Sequence, residues 1–277
     1  MNGNYAKALL CVTIICAALV ALSGCTSPAT SPATTPTAIA NASPAANFTT
    51  LTPGVLSIAT DASYAPFENV NTTNNNSIEG FDIDLMNQIA KELNLTVQYT
   101  NQPFDGIILS IQTHKYDASV SAFTITAERQ KTIDFTDPYY ENRGQAIAVR
   151  AGQDNVKNLT DLMNMTIGVQ SGTVAQTEIA NYTQAGNIKA YTLMPDVMMA
   201  LKKGEVQVAA GDYSVIKPYV DQYPGDYQFS NTSLSGTEYF GIVVSKDNPG
   251  LTAAMNSALA KIKADGRYDA IYKKWFS

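Results

Sequence analysis

From residue 55 onward, short runs rich in small and β-branched residues alternate with stretches whose apolar residues recur every three or four positions. The first pattern is that of buried strands, the second that of helices with one face turned to a core. Read this way, 55–60 is a strand and 71–77 a polar loop; 82–94 is a helix with Ile83, Met86, Ile89, Ala90 and Leu93 on its apolar side. Residues 96–100 form the next strand, 104–113 a helix and 118–122 a third strand. The pattern then restarts with a strand over 166–169, a helix from Thr173, a strand near Ala190, a helix from Pro195 and a strand over 206–211. Strands separated by helices pair in parallel through crossover connections, so the chain is an α/β protein with two such units. Two strand-like runs, 145–150 and 239–246, bracket the second unit and are expected to be the crossings between the two. A helix over 249–264, a turn at Gly266 and a helix ending at Trp275 follow.

The stretch 116–140, YDASVSAFTITAERQKTIDFTDPYY, concentrates the chemistry. Its small strand lets another molecule approach the backbone, and Thr126 is expected to cap a helix beginning at Ala127. Arg129 then falls in the first turn, where the helix dipole disfavours a cation. A bound carboxylate removes that conflict by accepting backbone N–H groups and a two-pronged guanidinium contact together. Taken alone, Arg129 would be a surface residue paired with Glu128 or Asp134; the strand end, cap and arginine converging on one spot favour an anion site. Other strand ends carry candidates too. Asp61 and Tyr64 follow the first strand, where ligands of open α/β sheets gather, although a plain turn would also use them. Asp212 closes the strand at 206–211 and, in isolation, reads as a cap for the helix from Tyr213. Phe104 alone would be core, and Gln170 to Thr173 make a glycine-containing turn that presents N–H groups and a hydroxyl. Asp82 and Asp84 stand at a helix start, which suits capping and the dipole.

The small strand, Thr124-Ile125-Thr126, Glu128-Arg129 and then Asp134-Phe135-Thr136-Asp137-Pro138-Tyr139-Tyr140 resemble the solute-binding proteins of polar amino-acid ABC transporters. Gly80-Phe81-Asp82-Ile83-Asp84-Leu85 fits the same family, and the resemblance runs in order from about Gly54 to the last residue. It implies a type II periplasmic binding protein fold: two Rossmann-like lobes joined by two hinge strands, with the ligand cleft between them. Lobe one would comprise 54–140 plus 240–277 and lobe two 141–239. It further implies that Arg129 holds a ligand α-carboxylate, helped by the strand end at Ser121, Ala122 and Thr124 and by the loop carrying Gln170 and Thr173. Asp212 would bind the α-ammonium, while Asp61, Tyr64 and Phe104 flank the ligand side chain. Where the family often has a longer basic residue this chain has the neutral Gln170. A carboxylate beside aromatic faces favours glutamine, arginine, lysine or histidine over glutamate or aspartate. The implied protein is a monomer that captures a free L-amino acid by lobe closure and delivers it to an ABC permease. A dehydratase of cyclic amino-acid precursors, with Asp61 or Asp212 as general acid, is the alternative on the same fold; a sensory ectodomain is a third.

Composition narrows the field. The 277 residues are 45% hydrophobic and 15% charged, enough for one large or two small domains. A net charge of −6 disfavours nucleic acid and anionic membrane surfaces as electrostatic partners. Lys7 precedes an apolar run over 8–22 that is short against the about 20 residues a spanning helix needs. Small residues before Cys25 suit a cleaved signal, and Leu22-Ser23-Gly24-Cys25 resembles a lipobox, which makes Cys25 the lipidated first residue of an extracytoplasmic, membrane-anchored protein. Residues 26–53, rich in Ser, Thr, Pro and Ala, are expected to be a flexible tether. Cys11 and Cys16 belong to the leader and His114 is the single histidine, so zinc clusters and nucleophilic triads lack their parts. The expectation is a binding protein, not an enzyme, with no catalytic residues, metal or cofactor.

Overall fold

The computed structural model describes residues 47–277; the expected signal segment, Cys25 and the expected tether up to residue 46 lie outside them. The first elements are β1 (Val55–Thr60), β2 (Ser63–Tyr64), β3 (Glu68–Asn71), β4 (Ser77–Glu79), α1 (Phe81–Glu92) and β5 (Thr96–Asn101). They continue with α2 (Ile107–Gln112), β6 (Ala118–Ser119), β7 (Asp134–Phe135) and β8 (Tyr140–Asn142). Then come β9 (Gln145–Arg150), β10 (Ile167–Gln170), α3 (Val174–Ile179), β11 (Ile188–Tyr191), α4 (Met194–Lys203), β12 (Val208–Asp212) and α5 (Tyr213–Gln222). The last are β13 (Tyr227–Ser233), β14 (Glu238–Phe240), β15 (Val243–Val244), α6 (Pro249–Ala264) and α7 (Arg267–Phe276).

Two five-stranded sheets carry the fold. The first has the order β5-β1-β6-β15-β7, with β1 parallel to both β5 and β6, and with β15 antiparallel to β6 and β7. The second has the order β11-β10-β12-β9-β13, with β10 parallel to β11 and β12, and with β9 antiparallel to β12 and β13. Burial on both faces explains their near-continuous apolar runs. Along β12, Val208 and Ala210 join the core on one face with Ile167, Val169 and Ile179, while Ala209 joins the core on the other with Met194, Val197 and Val215. The first sheet packs Leu56 and Ile58 against a core that includes Leu85, Met86 and Ile89 of α1 and Leu251, Met255 and Leu259 of α6. α6 starts with Pro249 behind Asn248, whose side chain accepts the Leu251 N–H.

The structure revises several sequence expectations. The connection between the sheets is a two-stranded ribbon of β8 and β14, pairing Asn142 with Glu238 and Tyr140 with Phe240. The run 145–150, expected to be a crossing, is β9 inside the second sheet. Its five successive buried positions, Gln145 to Val149, fit an interior strand better than an exposed hinge. Of 239–246, only β14 belongs to the ribbon, and β15 already lies within the first sheet. The strand expected over 118–122 ends at Ser119, and Ala122, at the far end of that run, takes a left-handed φ of 45°. A three-stranded sheet of β2, β3 and β4 was not foreseen. Finally, residues 47–53 lie against the body instead of extending the tether: the Leu51 N–H donates to Asp117 (2.7 Å), Thr49 accepts from Asn248 (2.8 Å) and Phe48 packs on the core. One aromatic anchor and a few backbone bonds outweigh a composition that favours disorder.

Candidate functional site

The carboxyl ends of β1, β6, β10 and β12 converge where the two sheets face each other. Asp61, just past β1, is buried. Its Oδ1 accepts from Ser63 (2.7 Å), and its Oδ2 accepts from Nε2 of Gln170 at the end of β10 (2.8 Å), a bond between the two lobes. Burial pushes the Asp61 carboxyl above its usual value, with the Ser63 and Gln170 bonds acting the other way. Among the described residues no cation lies within ion-pair distance of it.

Tyr64, Phe104 and Phe123 form an aromatic shelf: Tyr64 stacks on Phe104 (centroids 5.8 Å apart) and Phe104 on Phe123 (4.4 Å). The guanidinium carbon of Arg129 sits 5.6 Å from the Phe104 centroid and 5.3 Å from that of Phe123. One Arg129 nitrogen donates to the Thr124 carbonyl (2.9 Å) and another to the Gly172 carbonyl across the cleft (3.1 Å). Thr126 Oγ1 accepts the Arg129 N–H (3.2 Å), but the helix expected from Ala127 is only a 3-10 turn over Arg129–Lys131 that begins behind Glu128 with no side-chain cap, since the chain must extend again into β7. Burial pulls the Arg129 guanidinium below its usual value, against the opposing effect of Asp212, Tyr64 and Glu238. Among the described residues Arg129 has no carboxylate within ion-pair distance, unlike the surface pairing with Glu128 or Asp134 that an isolated arginine would make.

Asp212 is buried at the end of β12 and does not cap α5. Its Oδ1 accepts from Nδ2 of Asn142 (2.8 Å), Nε2 of Gln145 (2.8 Å) and, across the cleft, Oγ1 of Thr124 (3.4 Å). Burial and the charge of Glu238 push its carboxyl up to about 7, while Gln145, Arg129 and Thr124 oppose the rise. Glu238 accepts from the same Gln145 amide (2.7 Å).

The sequence-predicted residues therefore divide. Asp61, Tyr64, Phe104, Thr124, Arg129, Gln170 and Asp212 come together at the lobe junction. Ser121, Ala122 and Thr173 are engaged in the loops that support it. Ser121 Oγ accepts the Asp61 N–H (3.0 Å) and donates to Glu68 (2.8 Å), and the Ala122 N–H donates to Asp82 (2.9 Å). Thr173 Oγ1 donates to the Gln170 carbonyl (2.8 Å) and accepts the Gln176 N–H (3.3 Å), so it caps α3. Asp82, expected to cap a helix start, instead makes no cap and turns inward to Ala122 and Tyr139. Sequence reasoning missed Phe123, Asn142, Gln145 and Glu238. Phe123 lies within the motif and was legible as an aromatic beside Thr124; the other three carry no local signal.

Chemically, the junction offers one guanidinium, two buried carboxyl groups and an aromatic wall, a set suited to an ion that bears both charges. Comparison with known proteins identifies the frame. The family profile of the bacterial extracellular solute-binding proteins, family 3, matches residues 56–277. The chain belongs to this family. The ABC transporter arginine-binding protein 1 of Escherichia coli strain K12 is 35% identical over 225 residues, covering 80% of this chain and 90% of that protein. A probable histidine-binding protein of Neisseria gonorrhoeae is 33% identical and covers 85% of this chain and 87% of its own length. Among solved structures, an ancestral arginine-binding protein bound to glutamine superposes with a TM-score of 0.75 at 38% identity, covering 81% of this chain and 99% of its own. The arginine-, lysine-, histidine-binding protein ArtJ of Geobacillus stearothermophilus gives 0.75 at 34% identity, covering 80% and 94%. The architecture of this solute-binding protein is that of the type II periplasmic binding proteins.

Proposed function

We propose that this solute-binding protein captures an amino acid with a polar or cationic side chain outside the cytoplasm and delivers it to an ABC permease. One observation carries the reading: Arg129, half-buried, and Asp212, buried, stand at one junction, and neither has an oppositely charged partner within ion-pair distance among the described residues. Buried charges are costly unless paired, and an α-carboxylate and an α-ammonium supply both partners at once. The second carboxyl group, Asp61, supports a ligand with another donor or positive charge, held over the shelf of Tyr64 and Phe104. The neutral Gln170 amide would turn from Asp61 to the ligand. Contacts such as Asp61 to Gln170 and Arg129 to Gly172 exist only when the lobes are together, so a ligand that bridges them shifts the population toward closure. The relatives named above are binding proteins, which supports capture without turnover. Cys25, lipidated, would hold the protein at the membrane.

A thermal-shift screen of the amino acids tests this. A ligand at 100 times its dissociation constant adds about 2.7 kcal/mol of stability. Arginine, lysine, histidine or glutamine should raise the melting temperature most, and a preference for glutamate or an aliphatic amino acid would remove Asp61 from the side-chain subsite.

A further inference from the structure

Behind the aromatic shelf lie two carboxyl groups that the ligand reading does not use. Glu68 of β3 and Asp82 of α1 are both fully buried. One oxygen of each is taken: Glu68 Oε1 accepts from Ser121 Oγ (2.8 Å), and Asp82 Oδ2 accepts from the Ala122 N–H (2.9 Å) and the Tyr139 hydroxyl (2.7 Å). The remaining oxygens, Glu68 Oε2 and Asp82 Oδ1, are sealed from solvent with no N–H or hydroxyl donor on either among the described residues. The Asp82 charge acts on Glu68 across this sealed space. Two carboxyl groups enclosed together avoid facing each other as two anions if one carries a proton that the other accepts. No lysine, arginine or histidine among the described residues lies within ion-pair distance of the pair. The titratable groups that face it are Asp61 beyond β1, Tyr64 of β2, Tyr99 of β5, Tyr139 and Tyr140 around β8, and Tyr268 of α7. None of these is a cation. Asp84, the other acid of α1, turns outward to Lys274 and Trp275.

We propose that Glu68 and Asp82 hold one proton between them and act as a clamp that positions the backbone at Ser121 and Ala122, and through it the ligand cleft. The clamp reaches the cleft by short covalent paths. Ser121 Oγ, gripped by Glu68, in turn accepts the Asp61 N–H (3.0 Å). Ala122, gripped by Asp82, sits in the left-handed region at φ 45°, which is unfavourable for a non-glycine residue and calls for a compensating contact. The next two residues are Phe123 of the shelf and Thr124, whose carbonyl accepts from Arg129. Burial, followed by the neighbouring Asp82 charge, raises Glu68 well above the usual carboxyl range, and burial raises Asp82 as well, so the two carboxyl groups favour holding a proton together. Glu68 and Asp82 are positioning residues; neither touches the ligand.

The inference rests on the proposed function only where it concerns binding, and its test separates the two. For the unliganded protein, denaturant unfolding is followed from about pH 5 to about pH 9 for the unmodified chain and Glu68→Gln. A group whose folded value is raised stabilises below its unfolded value, 4.5 for Glu68, and loses that stabilisation as pH climbs toward the folded value. The folding equilibrium constant of the unmodified chain should therefore fall relative to Glu68→Gln by about tenfold per pH unit in that window. Glutamine, which donates to Asp82 and accepts from Ser121 without a titrating proton, should flatten the profile. In calorimetry with L-arginine as probe, Glu68→Gln should preserve the clamp while Glu68→Ala loses about tenfold or more in affinity. Ser121→Ala cuts the same link with a smaller change of volume and should weaken binding in the same direction if Glu68→Ala does not fold. Parallel pH profiles for the unmodified chain and Glu68→Gln overturn the shared proton. Equal L-arginine affinity in Glu68→Gln and in whichever of Glu68→Ala and Ser121→Ala folds overturns the clamp. If the unmodified chain binds no amino acid, the functional reading fails while the unfolding profiles still decide the proton.

Discussion

Arg129 illustrates how one side chain can be both cheap to keep and expensive to lose. Two carbonyls and two aromatic faces hold its guanidinium, so the fold tolerates it without a counter-ion. Arg129→Ala should leave the unliganded protein folded yet reduce amino-acid affinity by about 3–5 kcal/mol, because the ligand carboxylate would then be buried without its partner. Calorimetry beside a denaturation curve checks both halves. Asp212 makes a pH prediction. Its carboxyl stands at about 7 in the unliganded protein, and an ammonium beside it would pull that value down. Binding should therefore weaken as pH falls below about 7, approaching tenfold per pH unit, and the slope should vanish in Asp212→Asn. For the unliganded protein the sign is opposite: this raised group favours folding below its ordinary 3.8 and loses that contribution as pH rises through about 7. Proton release on binding, measured calorimetrically in buffers of different ionisation enthalpy, is the direct readout. Arg129 was legible because its motif is contiguous in sequence; the partners of Asp212 were not.

At the scale of elements, closure depends on how near two backbones can come. Gly172, in the turn between β10 and α3, has φ 78°, and a Cβ there would lie 2.8 Å from the Cα of Asp105 in the opposite lobe. Gly172→Ala should therefore oppose closure more than it opposes folding. We expect loss of about 1–2 kcal/mol from the left-handed backbone alone, seen in unliganded stability, and a clearly larger loss in ligand affinity. Equal losses in both measurements would mean that the lobes bind ligand without this approach. Gly144, between β8 and β9, has φ 92°, and a Cβ there would meet the carbonyl oxygen of Gly236, between β13 and β14, at 2.0 Å, so the two connections pass each other with no room for a side chain. The element pattern was read correctly where period and length agreed, as in β1 and α6. It misjudged β9, because a run buried on both sides looks the same in an interior strand as in a crossing.

For the whole molecule, the net charge of −6 argues against polyanionic partners yet says nothing about the cleft, where a single guanidinium is set among carboxyl groups. Anchoring and binding should be separable. No helix among the described residues is long and apolar enough to cross a membrane, and ligand contacts are expected only within the folded body. Cys25→Ser should move the protein from the membrane fraction to the soluble fraction with ligand affinity unchanged. Retention at the membrane would identify the apolar run over 8–22 as the anchor.

Periodicity, caps and the contiguous motif at 116–140 are short-range properties, and from them the chain alone determined the α/β class and the duplicated unit and singled out Arg129 as the candidate anion site. Tertiary structure decided which strands cross, where the folded body begins and what surrounds each charge. Asp61 and Gln170 are 109 positions apart, and Asn142 and Asp212 are 70 apart. Neither pairing has any trace in local sequence. The same holds for Glu68 and Asp82, of which sequence singled out only Asp82, as a helix cap. Only burial, by removing water and every counter-ion from around them, turns two ordinary carboxylates into a pair that must keep a proton.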